Sequence, residues 1–408
     1  MTSWVYCLPT DIIGEGAAPV LANLAHRAGT DGAVVAAKYH ASRDVYPHNP
    51  RWKVATLAPG VFYRPVPGSG NVAIAPVASP TAEGRDVLGE VMNVAHEFGI
   101  KVSAWAVVLH DDTIGPDHPA VQVNCWGDGS AGVLCPAHPD ARAYALSVVA
   151  DLVGYGVDGL RLESAHYHGI RHGHHHERFL EDHGPVALWL LGLCFCSHCR
   201  AAAEEQGVAV ERLQSTVRRW LAESFEHAPP KLPLSLASLG HLFGDEVVRY
   251  VKVRQDVVSS LVATAVELAR GAGVPVTFVD TTLATAGRDP GAEDTGLAAD
   301  RGWVNGIDIR GLASCEAQVE VTGYVASLSR LMAEVAAYRS ALPVPSRLGV
   351  VLRPGLPDSA TLYDLVDKLV AVRRAGADEI AFYNYGIYRL SALDRIREAM
   401  EGGTWSHE

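Results

Sequence analysis

Short hydrophobic runs and longer amphipathic stretches alternate along this chain, in the order that strands followed by helices would give. Apolar runs bounded by turn residues predict strands, and apolar positions repeated every three or four residues predict helices. The predicted strands lie at residues 3–12, 32–39, 101–109, 157–163, 274–280, 318–324, 347–353 and 379–385, with 306–309 as a competitor for the sixth. The predicted helices include residues 17–28, 85–98, 140–155, 246–271 and 359–375.

This alternation predicts an α/β fold, a (β/α)8 TIM barrel with a large insertion after strand four. We expect a single barrel domain over residues 1–408, with the insertion at about residues 165–245. A doubly wound sheet is disfavoured, because no glycine-rich phosphate-binding turn follows the first predicted strand.

The fourth predicted strand carries charges where a buried parallel strand should be apolar. Arg161 and Glu163 alternate with leucines, and His166 follows directly after the strand. Burying each charge costs free energy that the fold must recover through specific partners. A guanidinium, a carboxylate and an imidazole at one strand end therefore predict an active site there.

Polar and aromatic residues also stand at the carboxyl ends of the other predicted strands. In a (β/α)8 barrel these ends meet at one rim, where active sites are built. Each residue taken singly is compatible with packing or a surface ion pair, but their coincidence favours a shared site. The candidates for substrate binding are Asp11, His40, Arg43, Trp105, His110, Arg161, His166, Tyr324, Arg353 and Asn384. The candidate catalytic carboxyls are Glu163 and, as its partner, Asp280 or Glu320.

A compact cysteine motif lies within the insertion. Cys194, Cys196 and Cys199 have the spacing C-x-C-x-x-C, which supplies three thiolates within one turn. Zinc takes four such ligands, and Cys135 is the leading candidate for the fourth, with His198 as a weaker substitute. The alternative interpretation is a set of reduced, buried thiols without a metal.

These motifs resemble the family 42 glycoside hydrolases, which are β-galactosidases with a zinc-bearing barrel domain, and related barrels of unassigned substrate. The shared features are the Cys135-Pro136 segment, the acidic residue of strand four and the cysteine motif, within about residues 100–220. The rest of the chain matches only by barrel layout. The resemblance implies a carbohydrate-active enzyme with a structural Zn²⁺ held by Cys135, Cys194, Cys196 and Cys199.

The sequence departs from that family at two catalytic positions. Leu162 stands where the family has an asparagine, and strand seven ends with Arg353 and proline instead of a glutamate. Gly159 to Glu163 instead resembles the strand-four Gly-x-Arg-x-Asp motif of α-amylase-like barrels, in which the acidic residue is the nucleophile. The resemblance places Glu163 in a catalytic position without assigning its role.

Three functional hypotheses follow. The first is a hydrolase that cleaves a glycosidic linkage in a small carbohydrate or glycoside, with Glu163 and a second carboxylate. The second is a metal-dependent hydrolase or lyase built on His40, His110, His166 and His168, beside a histidine-rich run at 172–177. The third is a sugar-binding barrel without catalytic activity.

Charge and hydropathy narrow the partners. The net charge of −12 argues against nucleic acid or an anionic membrane as the main partner. No apolar run reaches the roughly 20 residues of a membrane span. The N-terminus lacks a basic segment followed by an apolar core, so we expect a cytoplasmic location. The sequence leaves the oligomeric state open, with a homo-oligomer as one option.

Overall fold

Eight parallel strands form a closed barrel in the computed structural model, which describes residues 1–66, 73–171, 178, 180–227, 232–286 and 296–402. Neighbouring strands pair in chain order, and β1 closes the barrel by pairing with both β2 and β8. The predicted (β/α)8 fold is therefore confirmed. The strands are β1 (Thr2–Cys7), β2 (Gly32–Tyr39), β3 (Lys101–Val107), β4 (Gly159–Glu163), β5 (Val276–Asp280), β6 (Gln318–Thr322), β7 (Leu348–Leu352) and β8 (Glu379–Phe382).

Helices surround this barrel. Each strand turns one face toward the helices and the other toward the lumen, because successive side chains of a strand point to opposite sides. In β4, Arg161 points into the lumen, where it is buried and bonds to Glu320 of β6. The flanking Leu160 and Leu162 are buried on the opposite face of the strand. The α-helices are Pro9–Glu15, Ala17–Ala22, Val87–Ala95, Pro139–Gly154, Gly184–Leu191, Ser197–Glu205, Val210–Glu226, Leu236–Phe243, Asp245–Arg270, Thr282–Ala286, Ile309–Ser314, Leu328–Ala341, Leu362–Arg374 and Ser391–Gly402.

The first strand is shorter than its hydrophobic run predicts. It ends at Cys7, and Pro9 begins the helix Pro9–Glu15, where its missing N–H costs nothing. Asp11 therefore lies in the first turn of that helix and not at the end of a strand, although it stays at the same rim. The competing strand at 306–309 is not formed, because Ile309 begins a helix.

Two hairpins that the sequence pattern did not predict rise from the carboxyl ends of β2 and β3. Ser42–Val45 pairs with Val54–Leu57, and Val121–Val123 pairs with Gly129–Leu134. Both lie on the side of the barrel where active sites form. The first of these two hairpins carries Asp44.

The described part of the segment between β4 and β5 holds four helices, from Gly184 to Phe243, before the long barrel helix Asp245–Arg270. The cysteine motif lies at the start of the second of them. The histidine-rich run at 172–177 lies outside the described residues. In the described part of the chain, no helix combines the length and the apolar character that crossing a bilayer requires.

Candidate active site

A buried arginine organises the lumen of the barrel. The Arg161 Nε lies 3.2 and 3.1 Å from the two carboxylate oxygens of Glu320, and its Nη2 lies 3.4 Å from Glu379 Oε2. The guanidinium stacks 4.5 Å above the Trp4 ring, and the Tyr6 hydroxyl donates to Glu320. Burial opposes the charge on Arg161, but the two carboxylates hold its pKa above the ordinary value. Glu320 is therefore committed to an ion pair inside the barrel.

Replacing Arg161 with methionine should destabilise the protein by about 3–5 kcal/mol, because it leaves buried carboxylates without their partner. The measurement is the free energy of unfolding in urea. The matched control is Arg51→Met, which removes an ion pair with Glu83 whose side chains are 41% and 50% exposed. We expect that control to cost less than about 1 kcal/mol. Equal losses in the two variants would contradict this account of the lumen.

Glu163 is the last residue of β4 and stands above this ion pair. It is partly accessible, and its Oε2 accepts a hydrogen bond of 2.8 Å from Trp105 Nε1. Burial of the carboxyl raises the pKa of Glu163 to about 7, with a further contribution from the charge on Glu320. Ser164 follows with φ of 55°, a left-handed conformation that non-glycine residues rarely adopt outside functional sites. Glu163 can therefore act as a carboxylic acid near neutral pH.

Aromatic rings surround Glu163 at the rim. Trp105 packs edge-on against Tyr6 and Tyr39, with ring centroids 5.0 and 4.7 Å away. Tyr383 lies 5.8 Å from both Tyr6 and Tyr324. The pKa of each of Tyr39, Tyr324 and Tyr383 is raised, first by burial and further by the charge on Glu163. Glu163 thus faces a wall of rings that also carry hydroxyl groups.

Two unpaired polar atoms lie beside this wall. Asp11 is fully buried; its Oδ2 accepts from the Leu8 amide at 2.8 Å, and burial raises its pKa to about 8. Asp11 Oδ1 and Asn384 Nδ2 are buried and have no hydrogen-bond partner among the described residues. A Cβ on Gly386 would lie 1.8 Å from Asp11 Oδ1, and the Gly386 amide donates to Asn384 Oδ1 at 3.0 Å. Both unpaired atoms therefore lie close to the end of β8.

Arg353 and Arg43 occupy different positions at the mouth. The Arg353 guanidinium lies 4.6 Å above the Tyr324 ring and is held by Asp358 at 2.5 and 3.0 Å. Arg43 is exposed on the first hairpin. Arg353 therefore belongs to the aromatic wall, whereas Arg43 lies at its outer edge.

Asp280 faces away from this group. Its Oδ1 accepts from the Thr282 amide and its Oδ2 from the Tyr338 hydroxyl, each at 2.8 Å. Tyr338 belongs to the outer helix Leu328–Ala341. The neighbouring Val279 is paired with Glu320, so Asp280 lies on the helix side of the sheet. The structure does not bring Asp280 together with Glu163.

The four strand-end histidines form a row. The ring centroids of His40 and His110 are 5.0 Å apart, those of His110 and His168 are 6.2 Å apart, and those of His168 and His166 are 4.8 Å apart. Burial lowers the pKa of His40 to about 4. Among the described residues, no group of three histidine or carboxylate ligands is placed so that it could hold a metal ion. The row lines one side of the rim, and its nitrogen atoms do not converge on a common point.

The four predicted cysteines do converge. Cys135 Sγ lies 3.8, 3.6 and 3.4 Å from the Sγ atoms of Cys194, Cys196 and Cys199, and all four residues are buried. Four thiolates bound tetrahedrally at about 2.3 Å from a zinc ion lie about 3.8 Å from one another. The quartet could therefore hold a metal ion of this kind. The Cys199 Sγ also contacts the hydroxyl of Tyr167 at 3.2 Å. Tyr167 follows Glu163 by four residues, so the quartet lies close to the loop after β4.

Several residues of the site were not singled out from the sequence. Tyr6 and Tyr39 lie on apolar strands that gave no sign of function, and Glu379 is the first residue of β8, at the end opposite the rim. The available signal was the alternation of side chains along each strand, because Tyr6, Arg161 and Glu163 all lie at lumen-facing positions. Which alternate positions face the lumen can be assigned only when the strand register is known.

Comparison with known proteins adds information on the fold. No protein-family model and no curated protein matches this sequence. The PgaB (BpsB) glycoside hydrolase domain from Bordetella bronchiseptica is similar, with a TM-score of 0.54 and 14% identity over 99% of this chain and 97% of that chain. A chitinase from Chromobacterium violaceum has a TM-score of 0.46 and 8% identity over 100% of this chain and 99% of that chain. The first similarity shows that this chain shares its barrel fold with a glycoside hydrolase domain.

Proposed function

We propose that the protein is a carbohydrate-active hydrolase that cleaves a glycosidic linkage, with Glu163 as the general acid. The observation that carries this proposal is a partly accessible carboxyl at the carboxyl end of β4, bonded to Trp105 and with its pKa raised to about 7. Glycoside hydrolysis requires such an acid, because the leaving oxygen must receive a proton as its bond to the sugar breaks.

The surroundings of Glu163 fit a sugar. Tyr324 is partly exposed at the rim, and aromatic rings and tyrosine hydroxyls of this kind offer a sugar apolar contact and hydrogen bonds. Asn384 Nδ2 and Asp11 Oδ1 are buried polar atoms that lack partners among the described residues, so sugar hydroxyls would satisfy them. A barrel of the same fold serves as the glycoside hydrolase domain of PgaB.

We further propose that the cysteine quartet binds a structural Zn²⁺. Four thiolates would close the coordination shell, so this ion would stabilise the fold and take no part in catalysis. The site would join the turn at Cys135 to the cysteine motif and, through Tyr167, support the loop that follows Glu163.

The pH dependence of hydrolysis tests the role of Glu163. Wild-type protein is assayed on a panel of oligosaccharides and aryl glycosides by the release of reducing ends. Because the acid is lost when Glu163 deprotonates, kcat/KM should fall as the pH rises through about 7. A rate that stays constant to about pH 9 would contradict the assignment, since a carboxyl with a pKa of about 7 is almost fully ionised there. Binding of glycans without any hydrolysis would favour the non-catalytic hypothesis.

A further inference from the structure

The second carboxyl of the site is not one of the residues that the sequence pattern favoured. Glu320 is held by Arg161 and Tyr6 inside the lumen, and Asp280 is bonded to Tyr338 on the helix side of β5. Asp11 is fully buried, and its raised pKa of about 8 makes it a proton donor at neutral pH. None of the three can accept a proton from water next to Glu163.

Asp44 is a carboxyl at the same rim that the sequence pattern did not single out. It is half-buried on the first hairpin, and its Oδ2 accepts from Ser42 Oγ at 2.8 Å and from the Tyr46 hydroxyl at 3.4 Å. Among the described residues both of these bonds fall on Oδ2, which leaves Oδ1 able to bind water. The Tyr46 ring reaches the end of β8, because a Cβ on Gly386 would lie 3.1 Å from Tyr46 Cδ1. The hairpin thus brings Asp44 over the mouth.

Two tyrosines link Asp44 to Glu163. Tyr39 and Tyr383 both pack against Trp105, with ring centroids 4.7 and 6.2 Å away, and Trp105 donates a hydrogen bond to Glu163. Burial is the main cause of the raised pKa of both tyrosines, and the charges on Glu163 and Asp44 both add to it. Glu163 and Asp44 therefore both lie within electrostatic reach of this tyrosine pair.

This mouth also contains buried polar atoms that have no hydrogen-bond partner among the described residues. Asn384 Nδ2, in the residue directly after Tyr383, is 3% exposed and has no partner among the described residues. Asp11 Oδ1, beside Gly386, is likewise buried and has no partner among the described residues. Buried polar atoms of this kind are normally satisfied, so a polar molecule is expected between the hairpin and the end of β8.

We propose that Asp44 is the general base of this site and that hydrolysis proceeds with inversion at the anomeric carbon. The inference rests on the proposed glycosidase function. A water oxygen forms a bond to the anomeric carbon while its proton passes to the Asp44 carboxylate. The bond from that carbon to the leaving oxygen breaks, its electron pair stays on the oxygen, and Glu163 supplies the proton. Separated carboxyls leave room for the water, whereas retention requires a spacing of about 5 Å.

The test compares Asp44→Asn, Asp44→Gly and the exposed control Asp117→Asn on a substrate that the wild type hydrolyses. We expect kcat to fall about 100- to 10,000-fold in both Asp44 variants and to stay unchanged in the control. Sodium azide should restore turnover by Asp44→Gly and give a glycosyl azide of inverted configuration, because azide carries no proton for a base to remove. Proton NMR should show the inverted anomer as the first product of the wild type.

The outcomes separate this inference from the function on which it rests. A first product of retained configuration would overturn the inference, as would wild-type rates in Asp44→Asn while Glu163→Gln is inactive. In both cases the glycosidase function would stand. If the wild type hydrolysed no glycoside at all, both would fall. Rescue by azide shows that the variant is folded, so loss of activity by misfolding is distinguished from loss of the base.

Discussion

Replacing Glu163 with glutamine is expected to lower kcat/KM for an unactivated glycoside by about 100- to 10,000-fold, the usual contribution of a positioned proton donor. Glutamine keeps the shape of the side chain and its bond to Trp105 but cannot give a proton to the leaving oxygen. The deficit should shrink for a dinitrophenyl glycoside, because that leaving group departs without protonation. The measurement is kcat/KM for matched glycosides that differ only in the leaving group.

Two controls make this prediction specific. The matched variant Glu83→Gln removes an exposed carboxyl at the surface and should retain wild-type kinetics. The free energy of unfolding of Glu163→Gln at about pH 8 should equal or exceed that of the wild type, because the wild type must then bury an ionised group with a raised pKa. An equal deficit for good and poor leaving groups would show that Glu163 acts in some way other than as an acid.

Replacing Cys196 with serine is expected to release one zinc ion per chain and to destabilise the fold strongly. Apparent zinc-binding free energies in small structural sites are about 10–16 kcal/mol, so even a quarter of that amount would cost roughly 3 kcal/mol. The measurements are the zinc content after dialysis and the free energy of unfolding with and without a chelator.

Cys125→Ser is the matched control for this prediction, because Cys125 is also fully buried but lies outside the quartet. It should keep the metal and should not become sensitive to the chelator. Wild-type protein that contains no zinc after purification with zinc present, and whose stability a chelator does not change, would support four reduced thiols in place of a metal site.

The sequence predicted the barrel well because eight strand–helix units leave few other arrangements. The charges of β4 do have partners, since Arg161 pairs with Glu320 and Glu163 accepts from Trp105, while the active site predicted there stays a prediction. The end of β1 was wrong because an apolar run continues from the strand into the helix that Pro9 begins. Hydrophobicity alone does not separate a buried strand from the buried turn of a helix.

The proposed second carboxyl could not be predicted for a different reason. Asp280 and Glu320 both stand near strand ends, but only the register, in which Val279 pairs with Glu320, shows that they face opposite sides of the sheet. Asp44 lies in a hairpin that the hydrophobic pattern did not reveal, because its burial alternates over only four residues. Functional groups on loops depend on how the loop folds back, which one sequence does not determine.

Glu163 at the rim of the barrel is expected to be a carboxylic acid near neutral pH. The most direct test is a titration of that carboxyl by infrared difference spectroscopy, with the signal assigned by its absence in Glu163→Gln. A midpoint of about 7 is the predicted result. A midpoint near the ordinary glutamate value of about 4.3 would contradict it, because Glu163 would then be ionised and unable to protonate a leaving group.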